Sequence, residues 1–233
     1  MNTILTIDTS TTVCSVALFA GTECLASRKD ESGNSHSRVI GVFTQEILKE
    51  AEANGWNVAA VALSMGPGSY TGLRIGTSFA KGLCYGMEIP LIAIPTLKIM
   101  AWAVAQRLKA ESAHGDALLC PMIDARRMEV YSAVYDMNLN ETEAVNAKII
   151  DQESFSDQFA SHDIYFFGNG STKCKDAITS PKAHFIDGVT PLATDMAVMA
   201  QEAYDKKEFV DVAYFEPFYL KDFIATKPKS LFS

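Results

Sequence analysis

The residues best suited to chemistry lie in one stretch, Ser64 to Gly86, where an apolar run ends in Gly66-Pro67-Gly68-Ser69. A strand, a glycine turn and a helix start can present backbone N–H groups to an anion. Glycine permits positive φ and proline fixes it, so the turn is sharp, and Ser69 or Thr71 caps a helix beginning near Gly72. The phosphate motifs of this general shape do not fit. A Walker A loop from Gly66 needs Gly and Lys where Thr71 and Gly72 stand, and a G-x-G-x-x-G fingerprint also needs glycine at Thr71. A nucleophile elbow around Ser69 needs glycines where Pro67 and Thr71 stand. Metal chemistry finds no frame either. His36, His114, His162 and His184 are isolated, H-E-x-x-H is absent, and no two cysteines form C-x-x-C. Arg126-Arg127 in the second turn is a compact basic pair, either a solvated turn or a contact for an acidic partner.

Composition narrows the classes further. The 233 residues suffice for one large or two small domains with a real core. No apolar run is long enough to span a membrane, and no basic leader precedes the first strand, so a cytoplasmic protein is expected. Five scattered cysteines, an odd number, read as reduced thiols, in keeping with that compartment. A formal charge of −8 argues against a strong phosphate-binding surface on this chain alone. Any RNA on which it works is expected to be held mainly by something else.

These residues need elements to position them. Alternation predicts strands over Thr3–Asp8, Val13–Phe19 and Glu23–Lys29. A helix over Val39–Ala53 follows, with Ile40, Phe43, Ile47 and Ala51 on one face and Gly55 beyond its end. Val58–Leu63 is a buried strand, the central helix comes next, and Leu91–Ile94 is another strand. Pro95 marks a boundary, giving units of 1–95 and 96–233. The second opens with a helix over Thr96–Lys109 and a strand over Ala117–Asp124. Residues 137–146 read as a polar loop, Thr194–Lys206 as a helix with Met196, Met199 and Ala203 inward, and Tyr214–Leu220 as an aromatic tail packed on a lobe. The Lys-Pro-Lys end beyond Thr226 is expected to fray.

The chain also echoes itself. Ile7-Asp8 through Ala17-Leu18 aligns without a gap on Ile123-Asp124 through Ala133-Val134, each a strand ending in aspartate, a polar turn and a second strand. A further strand, Asp163–Phe167, then Gly168-Asn169-Gly170 and a short helical stretch echo the central strand, turn and helix. Two related lobes opening on Asp-ended hairpins resemble the actin/Hsp70/sugar-kinase (ASKHA) architecture, an α/β fold in which each lobe is a mixed sheet with helices. In that superfamily an aspartate and a small-residue turn face ATP phosphates and their metal. By that likeness Asp8 and Ser10, with Gly68 and Ser69 of the glycine turn, are the candidate nucleotide contacts, and Asp124 is the opposite number of Asp8. Neither Asp turn contains glycine, however, and an aspartate bonding its own turn is the plainer alternative.

The central helix carries a different signal. Gly72, Gly76, Ala80 and Cys84 recur every four residues, a stripe of small side chains on one face. A helix-interior glycine costs roughly 1 kcal/mol relative to alanine, so close approach of another backbone is indicated. That backbone belongs either to this protein's own sheet or to a partner's helix. Enlarging Gly76 separates the two: a partner-facing stripe predicts an unchanged or higher melting temperature, an inward stripe a lower one.

Taken together, GPGSYTGLRIG followed by AKGL resembles the TsaB (YeaZ) family of the bacterial machinery that makes threonylcarbamoyladenosine in tRNA. Ile7-Asp8-Thr9-Ser10 is similar to that family's opening. Ser35-His36-Ser37 resembles its HS-E loop, with Arg38 replacing the glutamate. Met122 to Arg126 with Glu129-Val130-Tyr131, and Pro217 to Lys221, resemble its idAR…evY and P-x-YLR segments. The likeness spans most of the chain and is diffuse between residues 137 and 210. It implies a non-catalytic subunit with no catalytic residue, metal or cofactor of its own. Such a subunit pairs with the related catalytic TsaD and is joined by the ATPase TsaE, reaching tRNA only through the complex. Pairing in that family uses the helices of the first lobe, which implies Ile40, Phe43, Ile47, Gly72, Leu73, Gly76, Ala80 and Leu83 as interface residues, and the same helices can form a homodimer when the chain is alone. The family's glycoprotease-like label finds no support in the motifs. The alternative function is an ATP-dependent small-molecule kinase of the same superfamily.

Overall fold

A computed structural model describes residues 1–33, 36–111 and 115–221. Ser35, His114 and the Lys-Pro-Lys end, all named above, lie outside these described residues. The first lobe contains β1 (Asn2–Asp8), β2 (Cys14–Ala20), β3 (Glu23–Asp30), α1 (His36–Asn54), β4 (Asn57–Gly66), α2 (Tyr70–Met87) and β5 (Leu91–Pro95). Then follow α3 (Thr96–Ala110), β6 (Leu118–Asp124), β7 (Glu129–Tyr135), β8 (Glu141–Ile149), α4 (Ser156–Phe159), β9 (Ile164–Phe167) and β10 (Ala183–Ile186). A 3-10 turn, Ala193–Met196, leads into α5 (Ala197–Lys206).

The sheets run β3-β2-β1-β4-β5 and β8-β7-β6-β9-β10, the same order twice. Pairing matches as well: β1–β2 and β6–β7 are antiparallel, β1–β4 and β6–β9 parallel, β4–β5 and β9–β10 parallel. The internal repeat is therefore a repeat of topology, two mixed sheets with helices, as the ASKHA likeness implies. Its second copy is reduced. Where the first lobe has α1 and α2, the second has the single turn of α4 and a 3-10 turn over Thr172–Cys174.

Period-two alternation assigns the faces. Leu5, Ile7, Val61 and Leu63 turn toward α1 and α2 and pack with Ile40, Ile47, Ala51 and Ala80. Ile4, Ala60, Ala62 and Ile92 turn the other way, onto Met196 and Ala200. Both faces of β1 are thus covered, which is why it is apolar nearly throughout.

Two features depart from expectation. Residues 137–146 hold most of a strand and not a loop, because β8 is an edge strand whose Glu141, Thr142 and Ala144 face solvent and leave no apolar alternation to read. The second is the path of the C-terminal part. The cut after Pro95 separates the sheets, but α5 and the aromatic tail lie on the first lobe and not on the second. Thr6 Oγ1 donates to the Ala193 carbonyl at 2.9 Å, Ala193 N donates to Ser15 Oγ at 2.9 Å, and Val210 bridges to Leu91. Meanwhile α3, which follows β5, lays Leu97, Met100, Val104 and Leu108 on the second sheet, against Leu119, Ile123 and Phe167. The helix that follows each sheet in the chain therefore packs on the other sheet.

Candidate functional site

The Thr9–Ser10 turn and the start of α2 are built into one another. Ser69 N donates to the Ser10 carbonyl at 2.7 Å, and Ser69 Oγ caps the helix by accepting from Gly72 N at 3.2 Å. Thr9 Oγ1 donates to the Gly72 carbonyl at 2.8 Å. A Cβ on Gly68 would overlap the Ser10 carbonyl oxygen, one on Gly72 the Thr9 carbonyl oxygen, and one on Gly76 the Thr9 hydroxyl. The stripe of small residues therefore faces this chain's own turn and sheet. The reading in which Gly72, Gly76 and Ala80 meet a partner's helix is corrected: they are glycine and alanine so that α2 can close on β1 and its turn.

Asp8 is fully buried behind this junction, on the face that β1 shares with Thr6 and Ile4. Its carboxylate accepts from Ser10 N at 3.1 Å and from Ser10 Oγ at 3.0 Å. Burial lifts its pKa from 3.8 to about 7, against the pull of hydrogen bonds from Ser64 and Ser10, and nearby Asp195 raises it further. Asp195, itself lifted to about 6 by burial, stands on the 3-10 turn that crosses this face. Asp8 thus bonds its own turn, the plainer of the two alternatives.

Between the lobes lies a cleft of about 440 Å³. Of the four candidate nucleotide contacts, Ser10, Gly68 and Ser69 line it and Asp8 does not. His36, whose Nε2 sits 2.8 Å from the Thr11 carbonyl, and Thr71 add polar groups, while Ile75 and Ile123 add apolar ones. Asp124 lines the opposite rim, where Lys173 ion-pairs with it and also donates to the Glu129 carbonyl at 2.7 Å. Asp124 Oδ1 accepts from Arg126 N at 3.0 Å, repeating the Asp8 turn. One carboxylate is buried and the other neutralised. Among the described residues no three His, Cys, Asp or Glu side chains group as metal ligands.

The Asp124 hairpin has one further peculiarity. Arg126 and Arg127 both adopt left-handed backbone, with φ of 74° and 52°. For a residue with a Cβ this costs roughly 1–2 kcal/mol each. Both are exposed, and neither side chain has an ion pair or hydrogen bond among the described residues. The neighbouring lysines are committed, Lys173 to Asp124 and Lys221 to Glu129.

The outer surface of the first lobe is made by α1 and α2 side by side, a Cβ on Gly41 falling 3.9 Å from the Phe79 ring. Ile40, Ile47, Gly72, Leu73, Gly76 and Ala80 are buried beneath this surface, so their side chains belong to the core, while Phe43 and Leu83 are half-buried. What faces outward is a second set: Val42, 51% exposed, Arg74, Gly82, Tyr85, 84% exposed, and Gly86. A Cβ on Gly82 or Gly86 would meet nothing within 4 Å. Sequence reasoning passed over these two glycines, although they too are helix-interior and four residues apart. The tail flanks α2: Lys81 Nζ donates to the Ala213 and Phe215 carbonyls at 3.0 and 3.1 Å, and Tyr219 lies 4.9 Å from Tyr70 between ring centroids.

Comparison with known proteins follows the same lines. The family model for TsaD, tRNA N6-adenosine threonylcarbamoyltransferase, matches residues 29–229. The tRNA threonylcarbamoyladenosine biosynthesis protein TsaB of Escherichia coli is 34% identical over 96% of both chains. That of Haemophilus influenzae is 30% identical over 97% of this chain and 96% of its own. The solved structure of YeaZ from Pseudomonas aeruginosa superposes with a TM-score of 0.78 at 27% identity, covering 94% of this chain and 100% of that one. No helix among the described residues is long and apolar enough to cross a membrane. With its duplicated sheet order, its closed Thr9–Ser10 junction and full-length likeness to these relatives, the chain belongs to the TsaB (YeaZ) family of tRNA threonylcarbamoyladenosine biosynthesis proteins.

Proposed function

We propose that this chain is a non-catalytic subunit in tRNA threonylcarbamoyladenosine formation, pairing in the cytoplasm with a TsaD-like catalytic subunit. The observation that carries the reading is the junction of α2 with the Thr9–Ser10 turn. Where a kinase-like lobe would leave space for phosphate, Ser69, Gly72 and Ser10 bond one another, and the aspartate that would hold the metal is buried and holds Ser10. A surface without chemistry of its own acts by contact. The outer face of α1 and α2 is that surface, and Gly82 and Gly86 allow a partner's helix to approach the α2 backbone closely. A TsaE-like ATPase joins the pair, tRNA is engaged only by the assembled complex, and the same helices support a homodimer when the chain is alone.

The test is pairing measured by gel filtration and calorimetry with the catalytic subunit. Gly82→Leu places a branched side chain on the outer face. It should weaken pairing and tRNA modification while the isolated variant melts no lower than the wild type, since leucine is the better helix former. Normal pairing by this variant would move the partner surface elsewhere. The hydroxyl-lined cleft favours one alternative, a small-molecule kinase. Tight ATP binding by the isolated chain, with turnover abolished by Asp8→Ala, would establish that alternative instead.

A further inference from the structure

The Arg126–Arg127 tip is the feature of the second lobe that the fold does not explain. A two-residue left-handed turn is ordinarily made from glycine, asparagine or aspartate. Two arginines stand here instead, exposed, without carboxylate partners among the described residues, in a chain whose formal charge is −8. Their aspartate, Asp124, lines the interlobe cleft, so the tip stands at the cleft's second-lobe rim. The lysines beside them are spent on Asp124 and Glu129. The uncommitted charge is therefore guanidinium, the cation whose planar fork matches phosphate in bidentate fashion. A protein-docking surface usually carries an aromatic anchor; the large exposed apolar side chains here are Met128, 37% exposed, on the tip and Ile149, 70% exposed, beside it on β8 opposite Glu129, and neither is aromatic.

We infer that the Arg126–Arg127 tip contacts phosphate groups of the RNA substrate once this chain stands in its complex. The inference rests on the tRNA-modification reading above. The pair adds to RNA binding by the assembly and does not make the isolated chain an RNA-binding protein.

The experiment replaces both with the residue that their backbone prefers, Arg126→Gly with Arg127→Gly, in the full chain. If the arginines serve the fold, the variant should melt lower. If they serve RNA, the isolated chain should melt at the same temperature or higher while RNA binding falls. The variant is assembled with its catalytic partner and titrated with an unmodified tRNA transcript that the wild-type complex modifies, over a series of salt concentrations. Loss of two phosphate contacts should weaken binding roughly tenfold near ~0.1 M salt and make the log–log salt slope shallower by about 1.5. Arg126→Lys with Arg127→Lys should restore most of the slope. Unchanged affinity and slope would overturn the inference, as would weakened pairing with the protein partner in the absence of RNA, which would identify an acidic protein contact. If the glycine variant melts lower, Arg126→Gln with Arg127→Gln makes the same comparison at unchanged backbone cost. A wild-type chain that never pairs would refute the functional reading and the inference together. A complex that forms and binds RNA equally with and without the arginines would refute the inference alone.

Discussion

Gly72→Ala adds one methyl group and distinguishes an inward stripe from an outward one by sign. The new Cβ would overlap the Thr9 carbonyl oxygen, a backbone atom. That atom has little room to retreat, because the flanking bonds, Ser69 N to Ser10 O at 2.7 Å and Thr9 Oγ1 to Gly72 O at 2.8 Å, fasten the turn to the helix. At Gly76 the obstacle is the end of the Thr9 side chain, which can rotate, so Gly72 is the cleaner site. Overpacking costs about 1–3 kcal/mol, here toward about 2–3 because the obstacle is a backbone atom, and the helix-propensity gain of alanine over glycine offsets roughly 1 kcal/mol of it. The expected net loss of about 1–2 kcal/mol corresponds to a fall in melting temperature of roughly 2–8 °C for a chain of this size. Gly82→Ala is the matched control. Its Cβ enters open space, so the same chemical change should raise the melting temperature by roughly 2–4 °C. Thermal unfolding of the two single variants, followed by circular dichroism, reads both signs. A Gly72→Ala protein that melts at or above the wild type would refute the inward packing argument.

Two further outcomes are expected. Asp8 is raised in the fold from 3.8 to about 7, so between those values the native state holds a proton that the unfolded chain releases, and this group's contribution to stability falls as pH rises. The melting temperature of Asp8→Asn relative to wild type should therefore climb from pH 4 to pH 7, and a difference constant across that window would contradict the assignment. Lys81→Met removes the ammonium that holds the Ala213 and Phe215 carbonyls, so amide exchange over residues 213–219 should quicken while that of β1 does not. Unchanged exchange in the tail would mean that its other contacts, such as Phe218 N donating to the Met65 carbonyl at 2.7 Å, hold it without the lysine.

What the sequence disclosed divides along the range of the interactions. The strands ending at Asp8 and Asp124, and the glycine turns at Gly66 and Gly168, were legible because each is local: an apolar run, an acid and a turn residue within a dozen positions. The Ser69 cap was legible for the same reason. The direction of the α2 stripe was not, since periodicity identifies a face of small residues and is silent on what covers it. Gly82 and Gly86 have the same four-residue spacing as the inward glycines, so spacing does not distinguish the outer face from the inner. β8 was missed because an edge strand needs apolar residues on one side only, and Glu141, Thr142 and Ala144 face water. The seat of α5 depends on bonds such as Thr6 to Ala193, which join residues 187 apart, and no local pattern encodes them. The left-handed pair Arg126–Arg127 was read as a basic pair, but nothing in the residue types signals that φ is positive.

The crossed packing, in which each sheet is covered by the helix that follows the other, has a consequence for how the chain comes off the ribosome. The first sheet is complete by Pro95, but the face bearing Ile4, Ala60, Ala62 and Ile92 gains its cover only when Met196 and Ala200 arrive. At elongation rates of ~5–20 residues per second, that interval lasts roughly 5–20 s. For that time a nascent chain carries an uncovered apolar sheet beside the open edge of β5, which Val210 later bridges at Leu91. The helix α3, made immediately after the sheet, can shield part of it through Ile99, yet most of α3 is committed to a second lobe that does not exist at that moment. Synthesis therefore passes through a stage in which an apolar sheet face is open to aggregation, and any slowing of elongation past residue 95 would prolong it. A stop codon placed anywhere between the two sheets would yield a fragment that stays in that exposed state.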